Sequence, residues 1–232
     1  MALNPVVLCL SQSGYKTARK IADILGSQIH GREGRVVDVE ATFENALDHI
    51  RVLFSSGTPI VGVCAAGILV RGVAPMLVDK LNEPPVVAVP DDGSTVIPLL
   101  GGHRGANRLA RQIADGLEAH ASITTAGDIA MGVALDEPPL GYRLQNFKDA
   151  KPVMASLLNG SSVRILGENI FDIHSSSAAE ITLAVSETPM VGDEMTLVYH
   201  PQKYALGLGC ARGCSVDEMW NLVSKCMEEA NI

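Results

Sequence analysis

The sequence predicts an α/β fold: a mainly parallel sheet with helices on both faces, a smaller second α/β unit, and a short C-terminal strand-helix piece. Three observations carry this expectation. Short β-branched runs alternate with helical periodicities in the order strand, turn, helix, the signature of parallel crossovers. The chain is 47% hydrophobic but only 4% aromatic, with Ala, Val, Leu, Ile and Gly supplying the apolar material, which suits helices packed on a buried sheet. Its 232 residues exceed one typical domain of roughly 100–200 residues.

The first strand is Pro5 to Leu10, a short apolar run. Ser11-Gln12-Ser13-Gly14 makes the turn, and Tyr15 to Leu25 reads as a helix with Ile21, Ile24 and Leu25 on one face and Gly26 as its stop. A second helix is expected over Thr42 to Ser55, where Phe43, Leu47, Ile50 and Phe54 recur at helical spacing. Pro59 to Cys64 is the next strand, Ala65-Ala66-Gly67 its turn, and Ile68 to Leu81 a helix interrupted at Pro75. Pro85 to Pro90 is again a strand, and Asp91-Asp92-Gly93 is a hairpin-type turn into Thr95 to Leu100. Gly101 to Asn107 then opens a helix reaching about Ala119, with Leu109, Ile113 and Leu117 as its apolar stripe, before a short strand at Ser122 to Thr125.

From about Ala126 the composition changes to loops rich in Gly and Pro, a helix at Lys148 to Leu158, and strands near Val163 to Leu166 and Ile181 to Val185. A last strand is expected at Tyr204 to Leu208, followed by Ser215 capping a helix from Val216 to about Ala230. The expected organisation is residues 1–126, a middle domain over 127–202, and the beginning of a truncated C-terminal domain over 203–232.

The net charge of −8 gives no global attraction to nucleic acid or an anionic membrane. No secretory segment is apparent, and no apolar run approaches the roughly 20 residues needed to span a bilayer. The odd set of five cysteines, Cys9, Cys64, Cys210, Cys214 and Cys226, fits a reducing cytoplasm, and no pair has accompanying ligands at zinc spacing. No metal site is expected.

The run from Val63 to Asp128 contains Ala65 to Ile68, Val70-Arg71, Ala74-Pro75, Leu99 to His103, Gly105 to Asn107 and Ile123 to Thr125. In this order and spacing it resembles the N-terminal domain of the cobalt-precorrin-5A hydrolase family of cobalamin biosynthesis. Asn146 to Asn159 and the closing ALGLGCARGCSVDEM are similar to that family's middle domain and the opening of its C-terminal domain. One departure is the single Gly105 before Ala-Asn where the family carries two glycines, a shorter loop similar to versions fused to a precorrin-3B C-17 methyltransferase.

The resemblance implies opening of a δ-lactone on a cobalt-containing corrinoid and release of acetaldehyde. It implies no cofactor held by the protein itself, cobalt arriving inside the substrate. Such chemistry needs a base, oxyanion donors and cations for peripheral carboxylates. His103 is the expected base, an imidazole in the loop between a strand and a helix. Gly101, Gly102, Gly105 and Asn107 are expected to present free N–H groups at the helix start, and Arg104 a guanidinium beside them. Arg71 lies in an apolar stretch, where a buried charge requires a partner, a substrate carboxylate or Asp79. Ala66 and Gly67 are small enough to let a flat macrocycle approach the backbone.

Each of these has a plain structural alternative: the glycines as tight-turn residues, His103 as a hydrogen-bonder, Arg108 and Arg111 as a solvated helix face. The absence of Gly-x-Ser-x-Gly excludes a serine-hydrolase elbow, and no complete dinucleotide fingerprint is present. Three functions stay open at this point: the hydrolase, an auxiliary corrinoid-binding part of a fused or partner methyltransferase, and a generic α/β ligand-binding module. A homodimer also stays open.

Overall fold

In the computed structural model, residues 4–80, 82–125, 133–139 and 141–230 are described. Seven strands, β1 (Val6–Cys9), β2 (Gln28–Arg32), β3 (Ala41–Phe43), β4 (Ile60–Val63), β5 (Val86–Val89), β6 (Thr95–Leu100) and β7 (His120–Ala121), form one sheet in the order β3-β2-β1-β4-β5-β6-β7. The first five are parallel, with Val7 beside both Ile29 and Val61, and Val61 beside Val87. Strands β4 and β5 are buried along their whole length, as strands covered by helices on both faces must be.

The Asp91-Asp92-Gly93 turn reverses the chain. Gly93 adopts φ +69, and Asp92 Oδ1 accepts from the amide (3.0 Å) and hydroxyl (2.8 Å) of Ser94. Strand β6 therefore runs antiparallel to β5, with Leu100 opposite Val86 and Ile97 opposite Ala88. Strand β7 is parallel to β6 and so points the same reversed way.

Two helices cover each face. On one side α1 (Tyr15–Leu25) and α4 (Ala106–Leu117) bury Ala18, Ile21, Ile113 and Ala114 against Val7, Val61, Val87 and Val96. On the other, α2 (Ala46–Ser55) and α3 (Ala66–Val73) bury Ile50, Phe54, Leu69 and Val73 against Leu8, Ile60, Val86 and Ala88. Gly72 permits the close approach of α3 to α2, since a Cβ there would lie 2.7 Å from Ile50 Cγ2.

Several boundaries differ from the sequence expectation. The helix expected from Thr42 begins at Ala46, because Ala41–Phe43 pairs with β2 and Asn45 Oδ1 caps the helix, accepting from Leu47 and Asp48 amides at 3.0 and 3.3 Å. Phe43 is apolar in a helical rhythm but is buried as a strand residue, its ring stacked 4.7 Å from that of His49. Helix α3 stops at Val73 and one 3₁₀ turn, Ala74–Met76, follows; Pro75 has no N–H to continue the ladder. Leu81, the expected helix end, lies outside the described residues. The strand expected at Ser122 to Thr125 is instead His120–Ala121.

The second sheet holds β8 (Tyr142–Leu144), β9 (Val163–Leu166), β10 (Ile181–Val185) and β11 (Thr196–Pro201) in the order β8-β11-β10-β9, with α5 (Ala150–Leu158) packed on it. Its core gathers Leu135, Val153, Ile181, Leu183, Leu197 and Tyr199. Tyr199 is fully buried and donates from its hydroxyl to the Leu135 carbonyl at 2.8 Å, and burial pushes its phenol well above the usual tyrosine range.

Tyr204 to Leu208 forms no strand. A strand needs a neighbour for its backbone, and these residues pair with none among those described; Tyr204 is 72% exposed. Helix α6 (Val216–Ala230) follows as expected, with Ser215 Oγ accepting from the Glu218 amide at 3.1 Å. No described helix is long and apolar enough to cross a membrane.

Candidate functional site

The geometry of the larger sheet opens a crevice between β1 and β4. From β1 the chain crosses through α1 on one face to β2; from β4 it crosses through α3 on the other face to β5. Neighbouring parallel strands whose crossovers diverge leave space beyond their carboxyl ends, the usual ligand position in an open α/β sheet. Two clefts lie at this end. One, of ≈ 420 Å³, is lined by Cys64, Ala65, Ala66, Pro90, Asp91, Thr95 and neighbours. The other, of ≈ 380 Å³, is lined by Leu10, Arg32, Glu44, Asn45, Ala46, Leu47, Ile68 and Arg71.

Asp91 is the carboxylate lining the first cleft. Its Oδ2 accepts from Ser13 Oγ at 2.5 Å and from Ser11 Oγ at 3.2 Å, the two hydroxyls being 2.8 Å apart. Thr17 Oγ1 donates to the Asp91 carbonyl at 2.6 Å and fixes the backbone beneath. Gly14 makes room for the carboxylate, since a Cβ there would lie 2.8 Å from Asp91 Oδ1.

The adjacent thiols are unsuited to nucleophilic work. Burial, then the charge of Asp91, pushes Cys64 up to about 12, and burial likewise raises Cys9, which bonds the Ser11 carbonyl at 3.2 Å. Both stay protonated at neutral pH. Ser11, Ser13 and Asp91 were not among the residues expected from sequence; the signal available was a polar residue just past the carboxyl end of two separate strands.

The sequence-predicted set is divided between the two ends of the sheet. Ala66, Gly67 and Arg71 lie at the crevice, on α3. Arg71 is exposed, not buried as its apolar neighbours suggested, and donates from Nη1 to the Gly67 carbonyl at 3.0 Å. Helix periodicity explains the difference: Leu69, Gly72 and Val73 face the core while Val70 and Arg71 point outward. Gly67 lets the arginine fold back, because a Cβ would sit 2.9 Å from Nη1.

Gly101, Gly102, His103, Arg104, Gly105 and Asn107 lie at the opposite end, where β5 begins, as a direct result of β6 being antiparallel. Gly101 adopts φ +76, and a Cβ there would lie 2.6 Å from the Pro84 carbonyl. The amides of Arg104 and Ala106 donate to the Gly101 carbonyl at 2.9 and 3.1 Å, and that of Gly105 to Gly102 at 3.3 Å. The amides of Arg104, Gly105 and Ala106 are therefore satisfied within the loop. Asn107 is buried and donates to Thr125 Oγ1 at 2.9 Å, and Arg104 is exposed. The side chain of His103 lies outside the described set.

Across this loop, Arg108 Nη1 meets Glu137 Oε1 at 2.8 Å. The Glu137 side chain is only 11% exposed, so Arg108 is a partner for a carboxylate rather than part of a solvated face. Gly105, at φ +98, is the space between them: a Cβ would approach Arg108 Nη2 to 2.7 Å and Glu137 Oε1 to 3.2 Å.

Residues 48–128 match the family described as cobalamin synthesis G N-terminal, a stretch containing β4, α3, β5, β6, α4 and β7. Through this segment the chain resembles the cobalamin synthesis G family. It is 30% identical over 205 residues to a cobalt-precorrin-5A hydrolase of Priestia megaterium, covering 76% of this chain and 55% of that protein. It is 36% identical over 135 residues to a cobalt-precorrin-5A hydrolase of Salmonella typhimurium strain LT2, covering 56% and 38% respectively. The chain thus spans about half the length, or less, of these curated relatives. A solved structure described as a cobalamin biosynthesis protein G homolog from Sulfolobus solfataricus superposes with a TM-score of 0.50 at 21% identity, over 100% of this chain and 71% of that one, and shares the fold. The matched family segment supplies one wall of the crevice, Cys64 to Arg71 and Pro90 to Ile97, while Ser11, Ser13 and Arg32 come from residues before it.

Proposed function

We propose that this chain is the N-terminal and middle part of a cobalt-precorrin-5A hydrolase, binding the corrinoid at the crevice beyond β1, β4 and β5. In the reaction, water adds to the lactone carbonyl and the acyl C–O bond breaks, giving a carboxylate and a free hydroxyl. A base removes the hydroxyl proton, the adjacent C–C bond breaks and acetaldehyde leaves, while the ring carbon keeps the electron pair and takes a proton. No redox partner is needed, and the only metal is the cobalt within the substrate.

The observation that carries this reading is the 30% identity to a hydrolase over 205 residues, combined with a crevice lined by one anchored carboxylate, Asp91, and the protonated thiol of Cys64. In this reading Asp91 takes the proton. His103 is the alternative base, and its loop is at the far end of the sheet. Residues 203–232 read as the opening of a third unit, consistent with the exposure of Leu206 (61%), Leu208 (56%) and Trp220 (63%).

The test is acetaldehyde release on anaerobic mixing with cobalt-precorrin-5A, with Asp91→Asn and His103→Ala variants of unchanged thermal midpoint alongside. Release abolished in Asp91→Asn and retained in His103→Ala is the expected result. The reverse pattern would move the chemistry to the Gly101 loop. Corrinoid binding without any release would favour the auxiliary, methyltransferase-linked role.

A further inference from the structure

We propose that Arg32 and Arg71 form a carboxylate-binding pair that orients a polycarboxylate macrocycle over the first turn of α3; this deepens the function proposed above and rests on it. Arg32 ends β2, and Arg71 sits in the last turn of α3, so two elements 39 positions apart in sequence bring their guanidinium groups to one ≈ 380 Å³ cleft. Both are exposed. Among the described residues neither is in an ion pair, whereas Arg19, Arg51 and Arg108 are paired with Glu40, Asp48 and Glu137. In a chain of net charge −8, two cations outside any ion pair among the described residues, at the mouth of one cleft, are a specific placement.

The rest of the lining suits a ring with acidic substituents. Leu10 and Ile68 give an apolar floor, and Asn45 a polar rim. Glu44 lines the same cleft and offsets one of the two charges. A simple anion therefore gains little, while a ligand holding several carboxylates on a rigid frame can engage both guanidinium forks at once.

Leu10 and Ile68 in this cleft and Cys64 and Ala66 in the other place the start of α3 between the two. Ala65 and Gly67 are exposed there and present little more than backbone. A flat ring resting on them would have a carboxylate-bearing edge toward Arg32 and Arg71 and its opposite edge toward Asp91. Like-charge repulsion from Asp91 disfavours the inverted pose.

The experiment compares two cobalt corrinoids, one with free peripheral carboxylates and one with the same groups amidated, by absorbance titration of the wild-type chain and of Arg32→Gln, Arg71→Gln and Arg71→Lys. The wild type is expected to bind the carboxylate form about 10-fold more tightly, with the gap narrowing in high salt. Each Gln variant should lose most of that gap while leaving affinity for the amidated form unchanged, and Arg71→Lys should recover part of it. Because both arginines are exposed, the thermal midpoint should not move. Equal binding of both corrinoids, insensitive to the substitutions, overturns the arginine pair but leaves the corrinoid function standing. Binding of neither overturns both.

Discussion

Replacing Gly101 with alanine separates a structural glycine from a ligand-contacting one, because its neighbour Gly102 supplies the control. Gly101 holds φ +76, a left-handed conformation that costs an L-residue about 1–2 kcal/mol. Its new Cβ would meet backbone, not a movable side chain, with the Pro84 carbonyl carbon and oxygen and the Pro85 nitrogen all at 2.6 Å. Relieving such an overlap in a packed site costs about 1–3 kcal/mol. The reduced freedom of the unfolded chain returns about 0.4–1 kcal/mol, leaving a net loss of about 2–4 kcal/mol. For a chain of this size each kcal/mol shifts the thermal midpoint by about 2–4 °C, so a fall of roughly 4–16 °C is expected in calorimetry or circular dichroism. A Cβ on Gly102 has nothing within 4 Å, and Gly102→Ala should stay within about 0.5 kcal/mol of wild type. A Gly101→Ala midpoint within 1–2 °C of wild type would refute the close-approach argument. A stable Gly102→Ala that has lost corrinoid affinity would restore this loop as a ligand contact.

The remaining predictions concern titratable groups. His30 Nδ1 and His49 Nε2 are 2.9 Å apart, and burial, for His49 reinforced by the His30 charge, lowers both below the usual imidazole value of 6.5, although Glu40 opposes this at His30. The unfolded chain then binds more protons than the folded one as pH falls through 6.5, so stability is full above that value and declines below it; a urea midpoint that does not fall between pH 7.5 and 5.5 would contradict this. Cys210 and Cys226 are exposed, while Cys9 is buried and Cys64 is raised to about 12, so a disulfide-exchange reagent at pH 8 should label the C-terminal pair first and reach Cys9 and Cys64 only on unfolding. Rapid labelling of Cys64 in the folded protein would count against the burial that raises its thiol.

Much of the larger sheet was legible because its strands are buried on both faces and so appear as uninterrupted apolar runs between turn residues: VVLC, IVGV and VVAV need no partner to be read. Four other strands were not legible for the opposite reason. QIHGR and ATF at the β3 edge, and YRL and TLVYHP in the second sheet, mix polar and apolar residues and become strands only through their neighbours. Tyr204 to Leu208 failed the other way: its pattern is that of a strand, but among the described residues no backbone lies beside it. Of the expected site residues, Ala66, Gly67 and Arg71 fall at the crevice. Asp91 was legible only as a turn residue, since the hydroxyls that orient it come from 78 and 80 positions away.

The reversal at Gly93 decides how the loop from Gly101 to Asn107 should be understood. Had β6 been parallel to β5, Gly101 to Asn107 would open at the carboxyl end beside Asp91, and one site would contain every expected residue. With β6 antiparallel, that loop instead packs Gly101 on Pro84 and sets Arg108 against Glu137, whose unit also holds Leu135 in the core of the second sheet. A carboxylate only 11% exposed needs its cation, so this pair ties α4 to the second unit at the end of the sheet remote from the crevice. The glycines of the loop then serve that junction, by closing the turn and by leaving the gap at Gly105 that the pair crosses. The carboxyl end of the sheet is left unencumbered, with Asp91, the first turn of α3 and the two arginines facing the space where a ligand would lie.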